Sequence, residues 1–513
     1  MAVIQPISDV IRGRGVSLHF SPEGVALQVG GWRRRRFPPQ AARYEEIASV
    51  GATHGGRALV VTFTDGRAPW AVLGLRALQA RWAEEVISEM LWRRQQVAAP
   101  AFQAALSPED LAAALAPLAK PSGPEPALLA ELLLTQAIRH EVTDLHLLPT
   151  PEGYDVRVRK DGQLLRLAAL PAEAGRRALA RLKILAQMPS FPGRVSQTGS
   201  LTYDTGERQV QVRLTSLPTV AGEKLTARLF DPATRVVELP SLGMSPAVLA
   251  AVTAICAEPR GCLLVTGPAG AGKSTTMYAC LEHIAAQKPP RSLCTVEEPV
   301  EFRLAGVDQT EVNRGAGLDF AEGLRTVLRQ DPQVIMVGEI RDRETAEIAV
   351  QAGLTGHLVL STIHAPHSGG VFARLTDMGL EPYLVVSSVT AVLAQRLVRR
   401  LCPACARPYQ PAAAELADLG ALAADLAGAD LRQPTGCDEC GGAGYHGRTG
   451  LFELLPVNEA LRQAILDKRP AHELERLAAE AAVASLWSAG LDKVRQGETT
   501  LAEVRAVLGQ PAP

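Results

Sequence analysis

Gly267-Pro-Ala-Gly-Ala-Gly-Lys-Ser274 fits the pattern G-x-x-x-x-G-K-[ST] at every constrained position. Its flanks are the ones that pattern needs. Cys262-Leu-Leu-Val-Thr266 reads as a short buried strand, and Ser274 to Gln287 reads as a helix. Strand–loop–helix is the context in which the pattern acquires a physical meaning. Glycines let backbone N–H groups wrap a triphosphate at a helix N-terminus, where the dipole favours anions. The nucleotide-binding segment is therefore Gly267, Pro268, Ala269, Gly270, Ala271, Gly272, Lys273, Ser274 and Thr275. Lys273 is expected to reach the β- and γ-phosphates of ATP, and the Ser274 hydroxyl to hold Mg²⁺.

Binding alone is not hydrolysis, which needs a group that orients water against the γ-phosphate. Val334-Ile-Met-Val337 is an apolar strand running into Gly338-Glu339. That puts a carboxylate at the carboxyl edge of the sheet, where open α/β sheets bind ligands. Glu339 is the expected catalytic residue, polarising the attacking water. The strand itself holds no aspartate, and Asp331 precedes it, so Mg²⁺ is expected to rest on Ser274 and waters. A second acidic strand end, Thr295-Val-Glu-Glu-Pro-Val-Glu301, offers Glu297 or Glu298 for metal-bound water or the nucleophile. A third strand, His357 to Thr362, leads into His364, placed to sense the γ-phosphate or couple subunits.

Cys402-Pro-Ala-Cys405 and Cys437-Asp-Glu-Cys440 are two C-x₂-C pairs with 31 residues between them. Two such knuckles give tetrahedral thiolate ligation of Zn²⁺ with no open position, so the expected site is structural. Cys256, Cys262, Cys280 and Cys294 sit in apolar surroundings and read as small core residues.

The chain's 513 residues exceed one core and predict about three domains. Residues are 47% hydrophobic and 21% charged, which is globular rather than disordered. Net charge is −1, so no global field argues for nucleic acid, and none is expected as a direct partner. Residues 1–15 carry no apolar run of signal-peptide length. Tyr383 to Val398, the most apolar long stretch, is too short and too polar to span a bilayer. The expectation is a cytoplasmic protein that meets a membrane only through partners.

Residues 1–95 alternate apolar and polar positions in short runs, such as Val16 to Phe20, Val25 to Val29 and Ala58 to Phe63. A helix follows from Arg76 to Arg94. Strands with one closing helix suggest a small partner-binding barrel or sandwich of the pleckstrin-homology kind. The cluster Trp32 to Arg36 reads as a solvated strand end, with an acidic lipid or partner as the other reading. Residues 96–126 are an Ala/Pro-rich linker holding one short helix, Ser107 to Leu118. A helix from Ala127 to His140 opens a second domain, which continues in a hairpin turning at Asp161-Gly162. From about residue 240 strands and helices alternate, the sign of a parallel sheet with crossover helices. Residues 458–509 read as helical.

Together these residues resemble the secretion ATPase family that drives type II secretion and type IV pilus assembly. The resemblance spans roughly residues 125–510. It rests on Gly267 to Thr276, the acidic box Thr295 to Glu301, and Asp331-Pro-Gln-Val-Ile-Met-Val-Gly-Glu-Ile-Arg-Asp342. Thr355 to Ala365, around His364, and Gly436 to Gly450 add to it. The resemblance implies a homohexamer whose RecA-like motor domain (236–400) follows a PAS-like α+β domain (127–235). The PAS-like domain would supply Arg194, Arg213 and Arg228 to the nucleotide, where they stabilise transition-state charge on closure. It further implies a zinc-binding insertion (401–450), a helical C-terminal subdomain (451–513) and inner-membrane platform proteins as partners. Three departures stand out. Glu298 occupies the family's usual aspartate position, Gln330 and Gln333 replace common polar or acidic neighbours, and residues 1–95 lack the usual N-terminal motifs. The four cysteines favour the assembly and export branch over retraction. A RecA-like nucleic-acid translocase and a scaffold that binds ATP without turnover are the rival readings.

Overall fold

The computed structural model describes residues 10–13, 16–20, 24–29, 40–43, 46–53, 58–63, 70–73, 110–111, 113–115, 126–190, 195–205, 208–230, 238–412, 415–416, 419–426, 428–429 and 431–510. The chain divides into two compact units, Met1–Ala233 and Thr234–Pro513.

The first unit begins with short antiparallel strands. Val10–Gly13, Val16–Phe20, Gly24–Val29 and Gln40–Arg43 form one four-stranded sheet in that order; Ile47–Thr53, Ala58–Phe63 and Trp70–Leu73 form a separate three-stranded one. The expected helix 76–94 and the arginine cluster 33–36 lie outside the described residues. Within the stretch read as a linker, residues 110–111 and 113–115 are helical, and Leu111 and Leu115 are buried in the core that follows. Its apolar positions pack, so this part is more than a tether.

That core lies under a six-stranded antiparallel sheet. The order is Gln163–Pro171, Gly153–Lys160, Asp144–Thr150, Gly222–Phe230, Gln209–Thr219, Gln197–Asp204. Helices Pro126–Arg139 and Ala172–Leu185 contribute Leu128, Leu132, Ala178 and Leu182 to its buried face. Strand Gln209–Thr219 shows the period-2 pattern of a sheet wet on one side: Val210, Val212 and Leu214 are buried, Gln211 and Arg213 exposed. The expected turn at Asp161-Gly162 is present, with both residues at positive φ.

The second unit carries a seven-stranded sheet ordered Asp308–Glu311, Leu293–Glu297, Val334–Ile340, Leu358–Ile363, Gly261–Thr266, Val389–Leu401, Tyr445–Pro456. The first six run parallel and the last pairs antiparallel. Strand Gly261–Thr266 is buried along its whole length, as a parallel strand covered by helices on both faces must be. One apolar cluster gathers Leu264, Val296, Val337 and Ile363; the other gathers Leu263, Val265, Met336 and Leu360. Alternate residues of each strand thus feed the two faces. The carboxyl ends of the parallel strands then share one edge. Four helices, Glu459–Leu466, Ala471–Ala481, Leu486–Arg495 and Leu501–Leu508, close the chain. Among the described residues no helix is long and apolar enough to cross a membrane.

Candidate active site

The segment 267–272 joins strand Gly261–Thr266 to helix Lys273–Ala285. Gly267, Gly270 and Gly272 all take positive φ, where a Cβ is strained. At Gly267 space forbids a side chain as well, since a Cβ would stand 2.5 Å from the Gln395 carbonyl oxygen; one on Gly272 would press the Gln395 amide at 2.9 Å. Gln395, on the neighbouring strand, also accepts from the buried Thr276 hydroxyl at 2.8 Å. It thereby ties the base of the helix to the sheet. Lys273 folds over its own loop, donating to the carbonyls of Gly267 (2.8 Å) and Pro268 (3.0 Å). Burial lowers the Lys273 pKa from its ordinary value, with Glu339 pulling it back up and Arg396 pushing it further down. The Ser274 hydroxyl donates to Glu301 Oε1 at 3.3 Å.

Glu339 reaches this edge through a bulge. Pairing between Val334–Ile340 and Leu358–Ile363 slips between Val337 and Ile340, and a bulge re-aims the residue it carries. The carbonyls of Val337 and Gly338 are taken by the Ser361 and Thr362 hydroxyls at 2.8 and 2.7 Å. Glu339 Oε1 then meets His364 Nε2 at 2.9 Å, and Oε2 meets Arg341 Nε at 2.6 Å. Arg341 lies 3.7 Å from Glu298, whose two oxygens are held by Arg314 at 2.8 and 3.1 Å. Charges alternate along this edge: Arg314, Glu298, Arg341, Glu339, with His364 at the end.

The two acidic residues offered by the sequence part company here. Glu297 is 4% exposed and spends its carboxylate on Tyr278, Thr295 and Gln309. Tyr278 in turn accepts from the Glu301 N–H at 3.0 Å, and burial raises its hydroxyl pKa, with Glu297 adding to the shift. Glu297 is thus a brace that orients the acidic box, while Glu298 faces the charged edge. Tyr278→Phe removes a buried donor from Glu297 and an acceptor from Glu301. Its expected cost is about 1–3 kcal/mol of unfolding free energy, read from the denaturant midpoint; an unchanged midpoint would remove Glu297 from this bracing role.

The four cysteines of the paired knuckles converge, their sulfurs all lying within 4.8 Å of one another. Cys402–Cys437, Cys405–Cys440 and Cys437–Cys440 stand 3.8, 3.9 and 3.7 Å apart. Thiolates about 2.3 Å from a tetrahedral Zn²⁺ are separated by about 3.8 Å, so the donor set fits that ion. Burial works against a Cys440 thiolate, yet amide donors from Cys437 (3.2 Å) and Gly444 (3.1 Å), with the Cys437 and Cys405 thiols, outweigh it and bring its pKa down to about 7. Gly436 and Gly444 hold positive φ where a Cβ would strike Gly442 or Pro434.

In the first unit, Arg213 and Arg228 stand opposite each other on paired strands, both exposed on the face away from the helices. Arg228 donates to Asp144 Oδ1 at 3.0 Å. Arg194 lies outside the described residues.

Residues 119–506 match the family described as Type II/IV secretion system protein. The chain belongs to this family. It is 43% identical over 386 residues to type II secretion system protein E of Klebsiella pneumoniae, covering 75% of this chain and 76% of that one. To type II secretion system protein E of Pseudomonas aeruginosa it is 43% identical, covering 74% of each chain. To the type IV pilus assembly ATPase PilB of Thermus thermophilus it is 41% identical, covering 73% of this chain and 42% of that one. The fold is shared with the Legionella pneumophila ATPase DotB (TM-score 0.55, 19% identity, covering 74% of this chain and 95% of that one). It is also shared with the pilus retraction motor PilT (TM-score 0.51, 22% identity, covering 75% and 97%). The protein is thereby a secretion or pilus ATPase by family.

Glu301, Arg341, Arg314, Gln395 and Arg396 of this secretion ATPase were not among the site residues expected from the sequence. Glu301 closes the acidic box and Arg341 follows Glu339 by two, so a charge count of those stretches had the signal. Arg314 and Gln395 reach the site only through the fold.

Proposed function

We propose that this chain is the hydrolytic motor of a type IV pilus or type II secretion machine, working as a homohexamer at the inner membrane through platform proteins. The observation that carries the reading is Glu339, held in a bulge between His364 and Arg341 and close enough to act electrostatically on Lys273 of the glycine loop. Loop amides and Lys273 bind the β- and γ-phosphates, and Ser274, hydrogen-bonded to Glu301, would hold Mg²⁺ with Glu298 on its bound water; that ion, when bound, neutralises phosphate charge. Glu339 orients the attacking water and takes its proton. His364, hydrogen-bonded to Glu339, fixes the carboxylate's orientation and is placed to sense the γ-phosphate or couple subunits. Residues 127–235 are the closing domain, and Arg194, Arg213 and Arg228 stabilise charge on the transferred phosphoryl group. Zn²⁺ on the four cysteines is structural.

Phosphate release per subunit, followed across protein concentration with particle size in parallel, tests this. Turnover per subunit is expected to rise as a six-fold particle forms. Nucleotide binding without phosphate release at any assembly state would overturn it in favour of a switch.

A further inference from the structure

Strand Val389–Leu401 brings one more cation to the phosphate loop. Its residues Leu393 and Ala394 pair with Val265 and Thr266, so Arg396 emerges just past the point where the loop begins. Arg396 Nη1 lies 3.3 Å from where a side chain on Gly267 would start, which leaves the guanidinium directly against the first glycine. Its hydrogen bonds go to two carbonyl oxygens, Gln395 at 2.9 Å and Pro366 at 2.6 Å, and neither is a carboxylate. Lys273 likewise bonds two carbonyls and no acid.

Elsewhere along this edge positive charge is matched. Arg314 and Arg341 each hold a carboxylate. Arg396 and Lys273 are the exception: two half-buried cations side by side at the loop, whose hydrogen bonds go to carbonyl oxygens, with Glu339 acting on Lys273 only from beyond hydrogen-bond reach. Burial lowers the Arg396 pKa from its ordinary value, with Glu453 opposing that from a distance. Desolvated charge without a counter-ion is costly, and an anion arriving between the two cations removes the cost. A guanidinium suits phosphoryl oxygens because its fork of N–H donors matches their spacing.

We propose that Arg396 is a second phosphate-binding cation of the loop, donating to the β- or γ-phosphoryl oxygens from the flank opposite the Glu339 strand. The strand order supports that geometry: the loop strand lies between Leu358–Ile363, with Val334–Ile340 beyond it, and Val389–Leu401. The bond from Arg396 to the Pro366 carbonyl has a consequence. Pro366 follows His364 by two residues, so the guanidinium that reads the phosphate also holds the segment that positions Glu339. Phosphate occupancy and His364 placement are then tied through one side chain. This rests on the reading of residues 267–275 as the nucleotide seat.

Calorimetric titration of the full chain with Mg²⁺-ATP and, separately, with inorganic tripolyphosphate decides the matter. The variants are Arg396→Ala, Arg396→Lys and Lys273→Ala. Arg396→Ala is expected to weaken both ligands by about tenfold to a hundredfold, the size of a lost charge-assisted hydrogen bond. Arg396→Lys should recover part of the loss, since it keeps the charge without the fork. If Arg396→Ala also lowers the melting temperature, the lysine variant carries the comparison. Tripolyphosphate binding equal to wild type in Arg396→Ala would overturn the proposal, including the case in which ATP alone is weakened, which would make the contact one to the base. Lost binding in Lys273→Ala with intact binding in Arg396→Ala would sink this proposal alone. Intact binding in Lys273→Ala would sink the nucleotide-seat reading itself.

Discussion

Glu339→Gln is expected to lower the rate of phosphate release by about a hundredfold to ten-thousandfold while leaving nucleotide affinity within a few-fold of wild type. The amide keeps the size of the carboxylate and can still accept from His364, whose Nε2 lies 2.9 Å away. It cannot take a proton from water, and it gives up the ion pair with Arg341. The loop proposed to bind phosphate, Gly267 to Thr275, is untouched. Glu298→Gln is the comparison. Glu298, proposed to hold metal-bound water and gripped by Arg314 on both oxygens, should when lost raise the Mg²⁺ concentration needed for half-maximal rate more than it lowers the rate itself. Turnover in Glu339→Gln within a few-fold of wild type would move the role of base away from this bulge.

The second large effect concerns the four cysteines. The protein should carry about one Zn²⁺ per chain, and a strong chelator should unfold residues 402–444 locally. Structural zinc sites have apparent binding energies of about 10–16 kcal/mol, which is folding energy for the segment they staple. Core supporting the excursion is small, with Leu419, Leu426 and Leu431 among its buried residues. After chelation, proteolysis should cut between Cys405 and Cys437 while the parallel sheet stays protected. Cys402→Ser should reproduce the pattern without chelator. Four thiols that react freely with a thiol reagent in the native protein, and no bound zinc, would refute the assignment.

The parallel sheet and phosphate loop were legible because their signals are local. Four to six consecutive apolar residues followed by glycine, lysine and serine admit one strand–loop–helix reading, and Glu339 followed from its place at a strand end. The cysteine cluster was legible from spacing, since C-x₂-C pairs have little other use in such a chain. Glu297 and Glu298 were not separable. They are adjacent, and which of them turns inward depends on Tyr278 and Gln309, placed there by other elements. Arg396 was invisible for a similar reason: it lies more than a hundred residues along from the glycine it touches. In the stretch 96–126 the short helix was legible, residues 110–111 and 113–115 being helical, whereas the partners of Leu111 and Leu115 exist only in the folded domain.

The pairing of Val389–Leu401 with Tyr445–Pro456 bears on how the chain is born. The 43 residues of the cysteine excursion lie between these partners. At about 5–20 residues per second, a ribosome needs roughly 2–9 s to make that stretch. Throughout that interval the first strand presents a long apolar edge with unpaired amides, the kind that captures strands from other chains. Arginines 396, 399 and 400 punctuate it, and charge on an exposed edge discourages such capture. The nascent motor is therefore most vulnerable to misassembly just before its last strand emerges, and a shorter excursion would close that window.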